Sequence, residues 1–587
     1  MPTKTKSLLI SSIPILTWLP SYERAWLRTD LMAGLAVWAM TVPQSLAYAG
    51  IAGVPPIYAL YAVPLAMVAY AVFGTSRTMC VGPESAIALI SAATVGALVA
   101  DDPAEFLALT SLLALLAGVL FLLFGLLRLG WVANFLAQPV LQGFIQGIAL
   151  TVIVSQSPLI FGTEARFGQV VGELRNLPQL IGLEVDYTGF LLQTWAVLKT
   201  LGEANGTTTL VGLASLGLLF AFRRFRPFAP SALIAVVLAV VAVSLFDLET
   251  RGVRVIGQVP TGMVALAIPR LSVASVLALL PGAFAIVLLG YSVSLGVASV
   301  GAQTTGETID PNQELVSLGV ANLGAAFSSG FVVCGSLSRA SVILRAGGKT
   351  QVVSLINAGL VLLTLLFLIP LFYKLPQATL GAIVIVAMSG LLDFGYFRRL
   401  FQIDRGEFAY AMAALFGVLG LGILQGVALG VVLALVVLIR RVSRPETAVL
   451  GRLPGTDTYR DIRVHPEAET LPGLVIFRFD GPIIFANVGS FAGEVRRLVA
   501  EASEPVRAIL VPAHQINDID STGADQIGKL AGELEAKGII TAFAEVKSAL
   551  REAMQRSGLE ERIGANHFYA SIEEGVEELL RRPSTAP

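Results

Sequence analysis

The stretch "SSGFVVCGSLSRASVILRAGGKT", residues 328–350, decides how this chain is read. It puts Ser336, Ser338, Arg339 and Ser341 where the flanking sequence marks the start of a membrane helix. A charged residue inside a bilayer costs about 2.5–3.5 kcal/mol on insertion scales, so something must offset Arg339. Of 587 residues, 55% are hydrophobic and 14% charged, with a mean hydropathy of +0.76. Soluble globular chains carry about 25% charged residues, so the composition marks an integral membrane protein. The formal net charge of −1 gives no argument for nucleic acid as a partner. Two cysteines, Cys80 and Cys334, make no disulfide framework, and no CxxC or Cys/His cluster offers a metal site. Without a nucleotide loop or catalytic triad, the chain is not read as an enzyme and no cofactor is expected. The N-terminus lacks a small-residue cleavage site and is interrupted by prolines, so it is not read as a cleaved signal.

Up to Arg444 the chain is a series of apolar blocks separated by short polar turns. The blocks place spans near 31–50, 57–74, 83–99, 105–128, 133–156, 207–222, 229–246, 276–302, 315–332, 336–346, 349–372, 376–392, 406–422 and 424–440, about fourteen in all. The third and tenth, 83–99 and 336–346, are short for a bilayer that needs about 20 helical residues. Lys4, Lys6, Arg24 and Arg28 precede the first span, and every second connection carries basic residues: Arg77, Arg128, "RRFR" (223–226), Arg345 and Lys349, "FRRLFQIDR" (397–405) and "RRVSR" (440–444). The intervening "DDPAE" (101–105) is acidic. This pattern predicts an inner-membrane protein with both termini in the cytoplasm.

Beyond Arg444 the character is that of a small α/β domain. "LVIFRFDG" (474–481), "IIFAN" (483–487), "VRAILVPA" (506–513) and "IITAFAEV" (539–546) read as strands. Helical spacing fits 490–503, 521–538, 547–558 and 571–582. The expected division is a cytoplasmic segment 1–30, a membrane domain 31–444, a linker 445–460 and a soluble domain 461–587.

All three histidines, His465, His514 and His567, fall in the soluble part. If the membrane part moves protons, a carboxylate must carry them. Glu84, in "VGPESAIALISAATVGALVA" (81–100), is the acid well inside a span. The competing reading is that Glu84 only caps the helix that follows Pro83.

The two short spans rhyme. Each follows a glycine-containing extended run, "TMCVGPES" (78–85) and "FVVCGSLSRAS" (331–341), and they lie seven spans apart. The first and eighth spans also correspond. "AVWAMTVPQSLAYAG" (36–50) breaks at Pro43 beside Gln44 and Ser45, and "VLLGYSVSLGVASVGA" (287–302) carries Tyr291, Ser292 and Ser294. Interrupted segments at matching places in two halves point to inverted repeats. The N-termini of spans three and ten would then face each other at mid-membrane. With Arg339 the site sums to about +2, taking roughly +0.5 per helix end, which suits an anion. Serine hydroxyls and the Gln44 amide supply neutral hydrogen bonds. The plain alternative for Ser338 and Arg339 is a basic residue at a helix end, a place Arg345 and Lys349 already fill.

"VPQSLAYAGIAGVPPIYALYA" (42–62), "FGTSRTMCVGPESA" (73–86), "DPNQELVSLGVANLGAAFSS" (310–329) and "SLSRASVILRAGGKTQ" (336–351) together resemble the sulfate permease (SulP) family, relatives of the vertebrate anion exchangers and prestin. The tail resembles the sulfate transporter and anti-sigma factor antagonist (STAS) domain. The resemblance covers nearly the whole chain. It implies an all-α membrane domain of fourteen spans in two inverted seven-span repeats, a core that moves against a gate, and a homodimer. It places the anion between spans three and ten. By motif, that assigns Gln44, Glu84, Ser85, Ala86, Ser336, Ser338 and Arg339 to the site, with Ser294 on span eight beside them. Many bacterial relatives have an acid on span eight, linked in some to sodium or proton coupling. Here Val293 stands there, which argues against sodium at that position and leaves Glu84 as the lone acid of the site.

Ionised, Glu84 lowers the site to about +1; protonated, it restores about +2 and can donate a hydrogen bond. The expectation is proton–anion symport with Glu84 as proton carrier, sulfate being favoured by resemblance. Bicarbonate or C4-dicarboxylates, or exchange or uncoupled permeation, remain alternatives on the same scaffold. A different class of reading is an anion-sensing signalling protein whose STAS domain binds cytoplasmic partners. A nucleobase permease would present paired carboxylates that this sequence does not show. In "DIDSTGADQ" (518–526), Ser521 opens a helix where anti-sigma antagonists of this fold carry a phosphorylated serine. A helix cap by Asp520 or Ser521 is the competing reading.

Overall fold

The computed structural model describes residues 13–99, 102–131, 138–171, 190–226, 230–257, 269 and 272–581. Each of the fourteen apolar blocks holds a helix. They are α1 (Leu27–Ala52), α2 (Pro56–Phe73), α3 (Ser85–Gly96), α4 (Pro103–Leu126), α5 (Gln138–Phe161), α6 (Gly206–Phe225) and α7 (Ser231–Phe246). The second set is α8 (Val273–Thr305), α9 (Pro311–Phe327), α10 (Leu337–Arg345), α11 (Val352–Leu363), α12 (Gln377–Ser389), α13 (Arg405–Leu421) and α14 (Ile423–Ser443). Among the described residues, eight helical stretches are long and apolar enough to cross a membrane unaided. The expected brevity of the third and tenth is real: α3 has 12 residues and α10 has 9. Two further helices lie between these. Phe190–Thr200 falls in the stretch the sequence left unclear, and Phe394–Ile403 turns Phe397 and Leu400 onto Ala411. Residues 1–12 and 172–189 lie outside the described set, as does part of the fifth block.

The chain divides into two compact units, Met1–Ala434 and Leu435–Pro587. Within the first, α1–α4 pack with α8–α11, and α5–α7 pack with α12 and α13. This is the two-part organisation the resemblance implies. Where lipid removes the hydrophobic drive between helices, close contact needs small residues. At Gly118 of α4 and Gly319 of α9 a Cβ would come within 3.1 Å and 3.0 Å of the other helix's carbonyl oxygen, so any side chain there would push the pair apart. Two-residue strands β1 (Val81–Gly82) and β2 (Cys334–Gly335) pair antiparallel in the middle of the first group, joining the two halves of the repeat.

The second unit is a six-stranded sheet in the order β4-β3-β5-β6-β7-β8. Its strands are β3 (Glu446–Arg452), β4 (Tyr459–Asp461), β5 (Leu474–Asp480), β6 (Ala508–Pro512), β7 (Ile540–Ala544) and β8 (Phe568–Tyr569). β5 to β8 are parallel, and the antiparallel β3 and β4 occupy residues expected as linker. The alternation of "ETAVLGR" explains the difference, since Ala448 and Leu450 turn inward against β5. Helices α15 (Val488–Glu501) and α16 (Ser521–Glu535) cover one face through Phe491, Val495, Ile527 and Leu530. α17 (Ser548–Arg556) follows β7, and α18 (Ile572–Arg581) covers the other face with Val576 and Leu579. The expected strand "IIFAN" is not one. Asn487 accepts from Ile484 N at 2.9 Å and donates to Pro482 O at 2.8 Å, folding the segment into a turn, and only Ile483 makes an isolated bridge.

Candidate functional site

The site is built around the β1–β2 ladder. Val81 pairs with Gly335 and Gly82 with Cys334, so the strands run in opposite directions and each leads straight into a short helix. α3 and α10 therefore point away from one another, their N-termini on the order of 13 Å apart at about 3.3 Å per strand residue. Neighbouring elements hold both strands in place. Asn322 of α9 accepts from Val333 N and donates to Val333 O, each at 2.9 Å. Gln351 donates to Ser76 O at 2.7 Å and Met79 O at 2.8 Å. Ser294 donates to Gly290 O at 2.6 Å and accepts from Gly335 N at 2.9 Å. Its hydroxyl is thereby committed to bracing β2.

Arg339, the third residue of α10, is wholly buried. Nη2 donates to Pro83 O at 2.7 Å, while Nε and Nη1 have no hydrogen-bond partner among the described residues. The guanidinium lies across Gly82, where any Cβ would fall on it. An isolated buried cation is among the most expensive groups in a folded protein, and an anion within its reach offsets that cost.

Glu84 is the N-cap of α3, as the capping reading held. It accepts from Ala86 N at 2.8 Å and from Ser85 Oγ at 2.9 Å. The donors expected to face the anion are thus held by a tethered carboxylate. Ser336 and Ser338 hydroxyls lie 3.1 Å apart at the start of α10. Gln44 is buried on α1 with Oε1 unpartnered. Tyr48, one turn along the same face, lies within electrostatic reach of both Glu84 and Arg339. It was passed over in the sequence, although its spacing of four from Gln44 placed it beside the site.

Two acids of the membrane unit are buried more deeply than Glu84, which is half-buried. Asp30 accepts from Lys349 N at 2.7 Å and Thr350 Oγ1 at 2.6 Å. Glu314 accepts from Tyr70 Oη at 2.9 Å, from Thr75 N at 2.8 Å and Oγ1 at 2.5 Å, and from Ser76 N at 3.2 Å. Both are fully buried and committed to neutral donors away from the ladder. They sit in the first turns of their helices, so a search of span interiors missed them. Val293 packs against the apolar core. In the soluble unit, Asp520 caps α16 by accepting from Gly523 N at 2.6 Å, and Ser521 beside it is exposed. No group of three His, Cys, Asp or Glu suited to a metal occurs among the described residues.

The sequence matches the model of the sulfate permease family over residues 27–414 and that of the STAS domain over 465–575. A probable sulfate transporter of Mycobacterium tuberculosis is 34% identical over 97% of this chain and the whole of that relative. The chloroplastic sulfate transporter 4.1 of Arabidopsis thaliana is 30% identical over 97% of this chain and 82% of that relative. Among solved structures, the murine solute carrier 26 family member A9 anion transporter in the inward-facing state superposes with a TM-score of 0.87 at 23% identity, covering 99% of this chain and 96% of that one. The transmembrane domain of a cyanobacterium bicarbonate transporter superposes at 0.58 and 22% identity, over 70% of this chain and 98% of that one.

Proposed function

We propose, from the premise that this chain belongs to the sulfate permease family and is an anion transporter, that it carries sulfate together with a proton, the anion binding between the N-termini of α3 and α10. The observation that carries the reading is Arg339, fully buried with two donor nitrogens, Nε and Nη1, without a partner among the described residues. Sulfate is the preferred substrate because the curated relatives described above bear that name. A tetrahedral dianion suits a guanidinium, a helix end, the hydroxyls of Ser336 and Ser338, and the amide of Gln44.

Glu84 supplies the coupling. Its carboxylate holds Ala86 N and Ser85 Oγ, the donors the substrate needs at α3. Protonation removes the charge, weakens those bonds and releases the donors to the incoming anion. Carboxylate and sulfate thus compete for one set of donors, and the proton decides between them. By linkage, bound sulfate raises the affinity of Glu84 for the proton by the factor by which the proton raises sulfate affinity. The basic connections place both termini in the cytoplasm under this reading.

Labelled sulfate uptake into proteoliposomes, with and without an inward proton gradient, tests it in wild type and Glu84→Gln. Gradient-driven accumulation in the wild type and its loss in the variant is the expected outcome. Equal, pH-independent flux in both proteins refutes the coupling. Failure to take up sulfate under any gradient, with bicarbonate carried instead, refutes the substrate and keeps the site.

A further inference from the structure

Arg339 is not the only buried polar group that lacks a partner. Gln351, Ser354 and Asn357 recur every three residues at and after the start of α11, share one face, and are no more than 1% exposed. That face meets α1 and the segment 76–80 leading into β1.

The hydrogen bonds fix which way each amide points. Gln351 Nε2 donates to two carbonyls, Ser76 O and Met79 O, so reversing the amide would set oxygen against oxygen. Asn357 Nδ2 donates to Thr41 Oγ1 at 3.0 Å, and the Thr41 proton already goes to Val37 O at 2.9 Å. Gln351 Oε1 and Asn357 Oδ1 are therefore true acceptors, and neither has a partner among the described residues. Ser354 Oγ, between them, faces the Cys80 thiol without a hydrogen bond of ordinary length.

Buried acceptors are satisfied in native proteins, by ordered water where the chain supplies no donor. Gln351 and Asn357 are separated by about 9 Å of helix at ~1.5 Å per residue, too far for one guest to serve both. A file of about three molecules at roughly 2.8 Å spacing spans that distance, with the Ser354 hydroxyl alongside. The charged and titratable groups nearest the file are Asp30 at the loop end, held by Thr350 and Lys349, Glu314, which accepts from Ser76 N at 3.2 Å on the far side of segment 76–80, then Cys80, and Arg339 beyond it. None is a carboxylate inside the column, which favours neutral water over a metal cation.

We propose that α1, α11 and residues 76–80 enclose a file of ordered water from Gln351 to Cys80, and that protons reach the anion site along it. The file ends where Cys80 O accepts from Ser336 N at 3.2 Å, at the α10 end of the ladder, with Glu84 at the opposite end. Its use by protons rests on the symport reading; its existence does not.

Two measurements on the full-length protein separate these claims. Hydroxyl radicals made in place by X-ray radiolysis label side chains that touch bound water. Cys80 and Met67 are both fully buried in one apolar core, but Cys80 also meets a polar side chain, Asn357 Nδ2, 3.8 Å from its sulfur. Labelling of Cys80 without Met67, lost in Asn357→Leu and in the milder Ser354→Val, is expected. Protection of Cys80 equal to that of Met67 overturns the water file. In proteoliposomes, either variant should lose proton-driven sulfate accumulation while retaining sulfate counterflow, which needs no net proton. Labelled Cys80 with unchanged proton-driven uptake in the variants overturns the pathway. Labelled Cys80 with no proton movement in the wild type overturns both the symport reading and the pathway, leaving the water file standing.

Discussion

Replacing Arg339 by methionine should separate stability from binding. The guanidinium is wholly buried and makes one hydrogen bond, to Pro83 O. Exchanging buried ionic groups for apolar side chains of similar volume is neutral to stabilising by about 1–4 kcal/mol, and the orphaned Pro83 carbonyl takes back about 1 kcal/mol or more. The substrate-free variant should therefore be as stable as the wild type or up to about 3 kcal/mol more stable. Binding moves the other way. Nε and Nη1 are the unused donors, and two charge-assisted hydrogen bonds at about 1.5–3 kcal/mol each make the loss about 3–6 kcal/mol. That is a rise in Kd of about 10²–10⁴-fold at ~1.4 kcal/mol per decade. The assay is thermal unfolding in detergent across a sulfate titration. The wild type should gain about 2.7 kcal/mol at 100 times its Kd, and Arg339→Met almost nothing at the same concentrations. A variant several kcal/mol less stable without sulfate, yet with an undiminished sulfate shift, would show that Arg339 is a structural residue and refute the reasoning.

Three further outcomes follow from the same geometry. In Glu84→Gln the amide oxygen still caps α3, so the fold holds while one negative charge leaves the site. Sulfate affinity near neutral pH should rise, by more the greater the substrate charge, and its pH dependence should flatten; isothermal titration across pH reads both. Gly82→Ala would drive a Cβ onto the Arg339 guanidinium; sulfate flux should collapse while the protein still elutes as a folded species, and normal flux would disprove the close packing. In the soluble unit, Arg551 donates to Glu560 at 2.9 Å and holds its carboxyl below the usual carboxylate range. The resulting stability is present above the ordinary carboxylate pKa and is lost as pH falls through the lower folded value. Hydrogen exchange in α17 should therefore be faster in Glu560→Gln than in wild type near neutral pH, with the difference vanishing in acid; a difference that persists in acid would assign the effect to packing.

The features legible in the sequence are those that local pattern determines. Fourteen apolar blocks gave fourteen helices because length and hydropathy need no tertiary knowledge. The two short helices and Arg339 stood out because polar residues inside hydrocarbon are costly and must be compensated. The features missed depend on partners far along the chain. Asp30 and Glu314 look like ordinary first-turn acids until Thr350, Tyr70 and Thr75 close over them. Ser294 reads as an anion ligand in the sequence, but its hydroxyl accepts from Gly335 N, 41 residues on in β2. The short alternation of residues 446–452 pairs with β5 only once the sheet exists. Asn487 bends "IIFAN" through side-chain bonds that strand propensity does not register.

The ladder also explains why affinity and movement can be separated in this protein. Every bond that shapes the site lies inside one group of helices: Arg339 to Pro83, Ser294 to Gly335, Gln351 to Met79, Asn322 to Val333. Each joins the first half of the repeat to the second or ties a ladder strand to a neighbouring helix, so the group is cross-braced and can shift without deforming the site. The second group touches it through α7 and α12 against α1, and through α5 against α3. Those contacts flank the proposed site without supplying its donors, so on the proposed function their rearrangement would change access to the anion and leave its coordination intact. A tethered carboxylate fits that arrangement. On the proposed symport, Glu84 returns to Ala86 N and Ser85 Oγ when sulfate leaves, so α3 stays capped and those donors are not left unpaired in the empty site.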